Sequence, residues 1–380
     1  MDGTSKVVVV RCESYDFETV QAAFKRGLGL LGGASQFAAV GEKILVKPNL
    51  LVGESPDHCV SPNPAMFQAV LEEFIATGAS LSFGDSPAVG SLSMAARQSG
   101  LLPVAEKLGV PMADFQTSVT VPFPDGNLIK QFTLVKAAAE TDGLISLCKL
   151  KSHALTRITG AVKNQFGCVP GVLKTEFHTS LPNPQVFSRM LVDLNRLIKP
   201  RLFIMDGVMA MEGNGPRNGT PRKMNVILMS TDPVALDATV CKLVNLDPKL
   251  VDTIGFGEQF GLGSTRIEYL GDPVETFITP DFNVNREPPG SNSNRSPFVA
   301  TLIRRYVSQR PVIDPEKCTR CGKCEEICPA QPKALSWADG RKQPPVYDYS
   351  LCIRCFCCQE MCPHEAISVK TPLIRRLVRG

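Results

Sequence analysis

Short apolar runs alternate with longer segments of helical spacing along the first 280 or so residues. Val7–Val10, Ile44–Val46, Leu81–Phe83, Leu144–Leu147, Leu202–Met205 and Val226–Met229 are unbroken apolar runs of strand length. Continuous runs, unlike alternating ones, predict strands buried on both faces. Between them the chain carries helix signals. Asp16 can cap a helix that runs to about Leu31 and is ended by Gly32-Gly33. Asn63-Pro64 opens another, closed by Gly78. Shorter helices fit Ser91–Ser99 and Val104–Leu108, and longer ones Pro184–Leu197 and Pro233–Val244, the last with Asp232 as cap. This alternation predicts an α/β fold with a largely parallel sheet and flanking helices. Ligands of such sheets bind beyond the carboxyl ends of the strands. Lys47, Asp85, the Lys149–His153 stretch, Asp206 and Asp232 fall at such ends on this reading, although each is also a plain loop residue or cap, and for Asp232 capping is the simpler role.

The pattern changes past residue 280. Asp281–Pro297 is rich in Pro, Asn and Ser and reads as a linker. Phe298–Gln309 has helical spacing with Arg304, Arg305 and Arg310 on or near it, and the closing PLIRRLVRG echoes it. Such basic segments either rest on an anionic membrane or an acidic partner, or simply pack as a connecting helix and a frayed tail. The expected organisation is an α/β domain over 1–280, a linker and basic helix over 281–310, a small domain over 311–372 and a basic tail over 373–380.

Cysteine defines that small domain. Nine of the 14 cysteines lie between Cys318 and Cys362, in CTRCGKCEEICP and CIRCFCCQEMCP. Cys318, Cys321, Cys324 and Cys328 have the spacing C-x2-C-x2-C-x3-C before Pro329. Cys352, Cys355, Cys358 and Cys362 repeat it before Pro363. A shift of about 34 residues lays Val312 and Asp314 on Val346 and Asp348, so the repeat predicts a pseudo-twofold unit. Zinc knuckles also use C-x2-C pairs, but the doubled 2-2-3 spacing with its prolines fits zinc poorly. The run resembles the bacterial-type two-cluster ferredoxins, from about Pro311 to Lys370. That resemblance implies a small ferredoxin-like α+β domain with two 4Fe–4S clusters. Three cysteines of each run wrap one cube and the fourth crosses to the other. Cys318, Cys321, Cys324 and Cys362 are thereby assigned to one cluster, and Cys352, Cys355, Cys358 and Cys328 to the second. Cys357 is a surplus thiol, read as a non-ligand. The first half has two extra residues before Ala334-Leu335.

Charge marks a second region. From Gly143 to Thr175 there is no Asp or Glu, yet Lys149, Lys151, His153, Arg157, Lys163 and Lys174 are present, with His178 just beyond. A solvated helix face mixes signs. A one-signed stretch with Gly160, Gly167 and Gly171 reads as a cradle for an anion, the glycines allowing close backbone approach and the cations neutralising it. Lys47, Lys149 and Lys151 are the expected binding cations. An additional metal held by neutral His beside Cys168 is a second ligand choice, and a docking surface for an acidic redox partner a third reading. P-loop and dinucleotide fingerprints are absent.

Taken as a set, VKPNLL, GDSP, KLKSHALTRITGAVKNQFG and DPVALDA resemble the domain of unknown function 362 family, often fused to a two-cluster ferredoxin, over about Lys6 to Leu270. The resemblance implies fold and fusion, not substrate. The same stretch is similar to the lactate racemase-like superfamily, whose nickel-pincer nucleotide is attached to a Lys with a His nearby on the metal. That similarity implies Lys163 as attachment Lys, His178 as metal ligand and His153 as acid–base group, with Asp85 where those enzymes carry a second acid–base His. Ala161-Val162 interrupts the glycine pair that precedes their Lys.

A net charge of +4 does not imply a nucleic-acid partner. No run of 18 apolar residues predicts a transmembrane segment, and the N-terminus lacks signal-peptide organisation. The remaining cysteines are scattered, as in a reducing compartment, so a cytoplasmic location is expected. The expected function is electron transfer through two clusters, to or from an anion-binding site on the α/β domain, with a redox partner protein. An oxidoreductase, a docking module of a larger redox complex and a metal-dependent racemase-like enzyme all remain open.

Overall fold

The computed structural model describes residues 3–181, 183–287 and 308–372. Its main sheet is built from β1 (Ser5–Arg11), β2 (Lys43–Pro48), β3 (Ser80–Phe83), β6 (Gly143–His153), β8 (Leu202–Glu212), β9 (Thr220–Ser230) and β10 (Ile267–Gly271), in the order β10-β1-β9-β8-β6-β2-β3. The short β7 (Arg157–Ile158) turns back on β6, and β4 (Ser118–Pro122) and β5 (Gln131–Val135) form a separate hairpin. Pairing is parallel except where β9 lies antiparallel to β1 and β8. The sheet is therefore mixed but mostly parallel, as expected of an α/β fold.

Alternation within the buried strands tells the faces apart. Val8, Val10, Ile44, Val46, Ile145, Leu147, Leu202 and Ile204 point to one core. It is covered by α1 (Phe17–Leu30), α2 (Pro64–Ile75), α3 (Leu92–Gln98) and α4 (Leu101–Lys107). Val7, Val9, Cys148, Phe203, Met205 and Leu228 point to the other, under α9 (Pro233–Leu243) and α10 (Asp252–Gln259). Asp16 caps α1 through the Thr19 N–H at 3.1 Å, and Val20, Phe24 and Leu28 follow at helical spacing as its buried stripe. Asn63 caps α2, and Asp232 caps α9 by accepting from Val234 and Ala235. Capping is thus what Asp232 does. The remaining helices are α5 (Lys136–Glu140), α6 (Gly160–Asn164), α7 (Gly171–Ser180) and α8 (Pro184–Ile198).

Three strands run well past their apolar cores. Leu144–Leu147 was expected to end before a loop, but β6 continues to His153, and β8 and β9 extend similarly. Lys149–His153 and Asp206 therefore stand within strands. The extension is possible because its polar side chains find partners across the ladder, as described below.

By its internal contacts the chain divides into two compact units, Met1–Lys174 with Pro184–Val284, and Thr175–Asn183 with Asn285–Gly380. The second unit pairs β11 (Arg310–Ile313) with β14 (Ile367–Lys370), and β12 (Leu335–Ser336) with β13 (Val346–Tyr347), both antiparallel. One-turn helices Lys323–Glu326 and Cys357–Glu360 complete two matching halves. This is a small α+β unit. Most of the expected linker and basic helix, at 288–307, and the tail at 373–380 lie outside the described residues.

Asp237 on α9 is fully buried and accepts hydrogen bonds from the Ala161 and Val162 N–H groups. Burial outweighs those bonds and pushes its carboxyl up to about 7. A carboxyl raised in the folded state binds its proton more tightly there than in the unfolded chain, so its contribution to stability falls as pH rises from about 4 to 7. Asp237→Asn is expected to remove that part of the slope. Urea unfolding at pH 5 and pH 7.5 checks this.

Candidate functional site

Residue parity along the strands sorts the expected site residues onto two faces. Lys149 and Lys151 continue the stripe of Ile145 and Leu147, and Asp206 continues that of Leu202 and Ile204. Lys149 and Asp206 are register partners across β6 and β8, and their side chains form a buried ion pair of 2.9 Å. Asp206 also accepts from the Tyr15 hydroxyl at 2.7 Å, the Asn63 N–H at 2.9 Å and the Val208 N–H at 3.2 Å. The Tyr15 hydroxyl in turn accepts from Lys149 at 2.8 Å. Burial, then Asp206, hold that phenol well above its ordinary range.

Lys47 lies on the opposite face, with Leu45. Its ammonium pairs with Asp85 at 2.9 Å and donates to Asn164 Oδ1 at 3.0 Å, both partners buried. Asp85 accepts from the Leu50 N–H at 2.7 Å and the Ser86 N–H at 2.9 Å. A Cβ on Gly167 would overlap Asp85 Oδ1 and stand 2.7 Å from Lys47 Nζ, so glycine is required for the chain to close over this pair. Gly160 is required for two reasons: its φ is +65°, and a Cβ there would meet the Asp237 carboxylate. Both glycines were expected to approach a ligand. Each instead makes room for a carboxylate of the chain itself.

Asn49, just past the end of β2, joins the two faces. Its Oδ1 accepts from Lys151 at 2.7 Å, and its amide donates to Asn164 Oδ1 at 3.3 Å. Lys151 also donates to the Val60 carbonyl at 2.7 Å. Lys149 and Lys151 of the acid-free stretch are thus met by Asp206 on β8 and by oxygens of the loop after β2, a long-range arrangement that nothing local in Gly143–Thr175 reveals.

His153 ends β6, where its Nδ1 accepts from the Leu155 and Thr156 N–H groups at 3.0 and 3.3 Å. Those bonds place the imidazole proton on Nε2. Lys163 is half-buried on α6. Its charge acts on Lys174, whose ammonium donates to the Ser86 carbonyl and stands 5.8 Å from the centre of the Phe166 ring. Burial first, with Lys47 and Lys163 adding to it against the opposing pull of Asp85, lowers Lys174 to about 8. Lys174, a member of the acid-free run, is not among the cations expected to bind, and its place in that run is the one signal for it. His178, further along α7, belongs to the second compact unit. Burial pushes the Cys168 thiol up to about 12, which does not suit it to be a thiolate ligand.

In the second unit a cavity is lined by Cys318, Cys321, Cys324 and Cys362, with Ile313 and Trp337 beside them. Burial, then Cys362, Cys318 and Cys321, push the Cys324 thiol up to about 11. Cys352, Cys355 and Cys358 are buried, and Cys328 packs against Cys352. Cys357 lies against Cys355 and hydrogen-bonds to it. Among the described residues no three His, Cys, Asp or Glu side chains converge closely enough to hold one metal ion. A cubane places each thiolate on a different iron, so four thiols spread round one cavity suit it.

Residues 44–242 match the family described as Domain of unknown function (DUF362). The chain belongs to that family. Residues 310–363 match the 4Fe-4S dicluster domain, so this DUF362 chain carries an iron–sulfur, metal-binding domain of electron-transfer type. A thylakoid-associated protein of Synechocystis sp. is 36% identical over 276 residues, 72% of this chain and 85% of that protein. The lactate racemase apoprotein from Thermoanaerobacterium thermosaccharolyticum aligns at 13% identity and a TM-score of 0.40, over 64% of this chain and 57% of that one. A Thermotoga maritima protein aligns at 13% and 0.36, over 59% and 57%. The chain thus spans less than three fifths of either solved structure. Among the described residues no helix is long and apolar enough to cross a membrane.

Removing one member of a buried ion pair leaves the other uncompensated, at a cost of roughly 3–5 kcal/mol. Lys149→Met is expected to destabilise the first unit by about that much. The double change K149M with Asp206→Leu is expected to recover a large part of the loss. Chemical denaturation of the three chains checks both statements.

Proposed function

We propose that this protein is an iron–sulfur oxidoreductase subunit. In it Cys318, Cys321, Cys324 and Cys362 hold one 4Fe–4S cluster and Cys352, Cys355, Cys358 and Cys328 a second, and both serve an anion-binding site on a 1–280 α/β domain. The observation that carries the first part is the convergence of four thiols, drawn from both cysteine runs, on a single cavity. One-electron transfer is the chemistry such clusters supply when bound. The chain's own part is to hold the cysteines, bury Cys352, Cys355 and Cys358 of the second set and leave Cys321 of the first exposed, where a redox partner protein can approach.

For the α/β domain, the paired lysines point away from themselves. Lys47 and Lys149 already face Asp85 and Asp206. Burial first, and then the charges of Lys47 and Lys163, hold the Lys174 ammonium at a cost, so a small carboxylate or phosphate beside Lys174 would stabilise it. Asp85 acts as the anchor that holds Lys47, and the Ser86 carbonyl beside it holds Lys174. His153 is held at the end of β6 by the bonds its Nδ1 accepts from Leu155 and Thr156.

Anaerobic reconstitution is expected to yield about eight irons and matching sulfide per chain, as two cubes require. Cys357→Ser should leave that content intact, whereas Cys318→Ser should lower it. Stoichiometric zinc without sulfide would overturn the cluster reading. The anion site is tested separately. Lys163→Ala should raise the pKa of Lys174 from about 8, read as slower reductive methylation of Lys174 at pH 8. Inorganic phosphate should protect Lys174 in the parent chain. Absence of both effects rejects the site and leaves the clusters untouched.

A further inference from the structure

The two halves of the dicluster unit differ at a strand position that faces a cysteine sulfur. The Tyr347 hydroxyl donates a hydrogen bond to Cys358 Sγ at 3.2 Å. The repeat lays Tyr347 on Ile313 and Cys358 on Cys324. The pairing obeys the same correspondence: Tyr347 stands opposite Leu335 in β12, and Ile313 opposite Ile367 in β14. Ile313 lines the cavity of the first cysteine set and packs in the same apolar cluster as Cys324. The place that holds a hydroxyl in one half therefore holds a hydrocarbon in the other.

Resting on the cluster reading above, we propose that Tyr347 raises the reduction potential of the second cluster, against the burial that lowers it. Four thiolates and a cubane carry net negative charge that grows by one on reduction. A hydrogen bond to a ligating sulfur stabilises the more negative form and raises the potential. Burial acts in the opposite direction, because it disfavours the more highly charged state. The second set is the more buried: Cys352, Cys355 and Cys358 are enclosed, whereas Cys321 of the first set is exposed. Tyr347 offsets the desolvation that its own half imposes. The hydroxyl is well placed for this. Its ring is stacked on Tyr349 at 5.5 Å, and Tyr349 is fixed by its own bond to the Pro311 carbonyl at 2.8 Å and by Arg310 over its face.

The test is a spectroelectrochemical titration of the full chain, with EPR of the reduced state. Tyr347→Phe keeps the ring and removes the donor. The expected result is that one of two midpoints moves to more negative potential while the other stays. If both stay, or both move together, the proposal is overturned. If Tyr347→Phe lowers the iron content, the parent chain is grown with fluorotyrosine, whose more acidic hydroxyl donates more strongly. One midpoint must then move positive and the other stay; no movement overturns the proposal. A preparation of the parent chain without eight irons contradicts the cluster reading itself and is told apart by that count.

Discussion

Burying a lysine is costly unless a carboxylate and enough hydrogen bonds accompany it, and the carboxyl edge of this sheet is arranged around that requirement. Lys47 and Lys149 reach the edge from neighbouring strands but opposite faces, and each has its own acid, Asp85 and Asp206. Neither acid is local to its lysine. One comes from the end of β3, the other from β8. Their pairing fixes how those elements meet. The loop after β2 is fixed by the same groups, since Leu50 and Asn63 donate backbone N–H groups to the two carboxylates. A polar network of this kind adds less to stability than its number of bonds implies, because desolvation offsets most of the gain. What it contributes is a single arrangement, since every alternative strands a charge.

The strand cores and helix starts were legible. Val7–Val10 and Leu202–Met205 are short apolar runs with nothing else to do, and Asp16, Asn63-Pro64 and Asp232 are caps whose chemistry is local. The cysteine runs were legible for a similar reason, because the spacing within a loop is itself the geometry that wraps a cube. What the sequence hid was everything decided by partners far along the chain. A strand was expected to stop before Lys149 because a lysine in a core is forbidden on its own. It continues because Asp206, 57 positions later, sits beside it in register. Gly160 and Gly167 read as openings for a ligand, yet the space they leave is filled by Asp237 and by the Lys47–Asp85 pair. An acid-free run looked like an uncompensated charge only because the compensating acids were elsewhere.

The cluster unit illustrates how the halves of a duplicated design diverge. Its halves share strand pairing and a one-turn helix, so the differences stand out against a common frame. They are small in atoms: one hydroxyl in place of a hydrocarbon, a surplus thiol against Cys355, and an exposed rather than enclosed cysteine. The first two act at buried cysteines, where a single hydrogen bond counts for more than it does in water.

Asn49 has one more consequence. Its oxygen is claimed by the Lys151 ammonium, which can only donate, and its nitrogen therefore points to Asn164. The oxygen of Asn164 is claimed in the same way by Lys47, so its nitrogen points to the Ser146 hydroxyl at 2.9 Å. Both amides are locked in one sense by cations that cannot reverse roles. A proton wire needs links that can turn round after each passage, and these cannot. The network that joins the two faces of the sheet is therefore a one-way strut that holds the loop after β2 in position and insulates the faces from each other's protons.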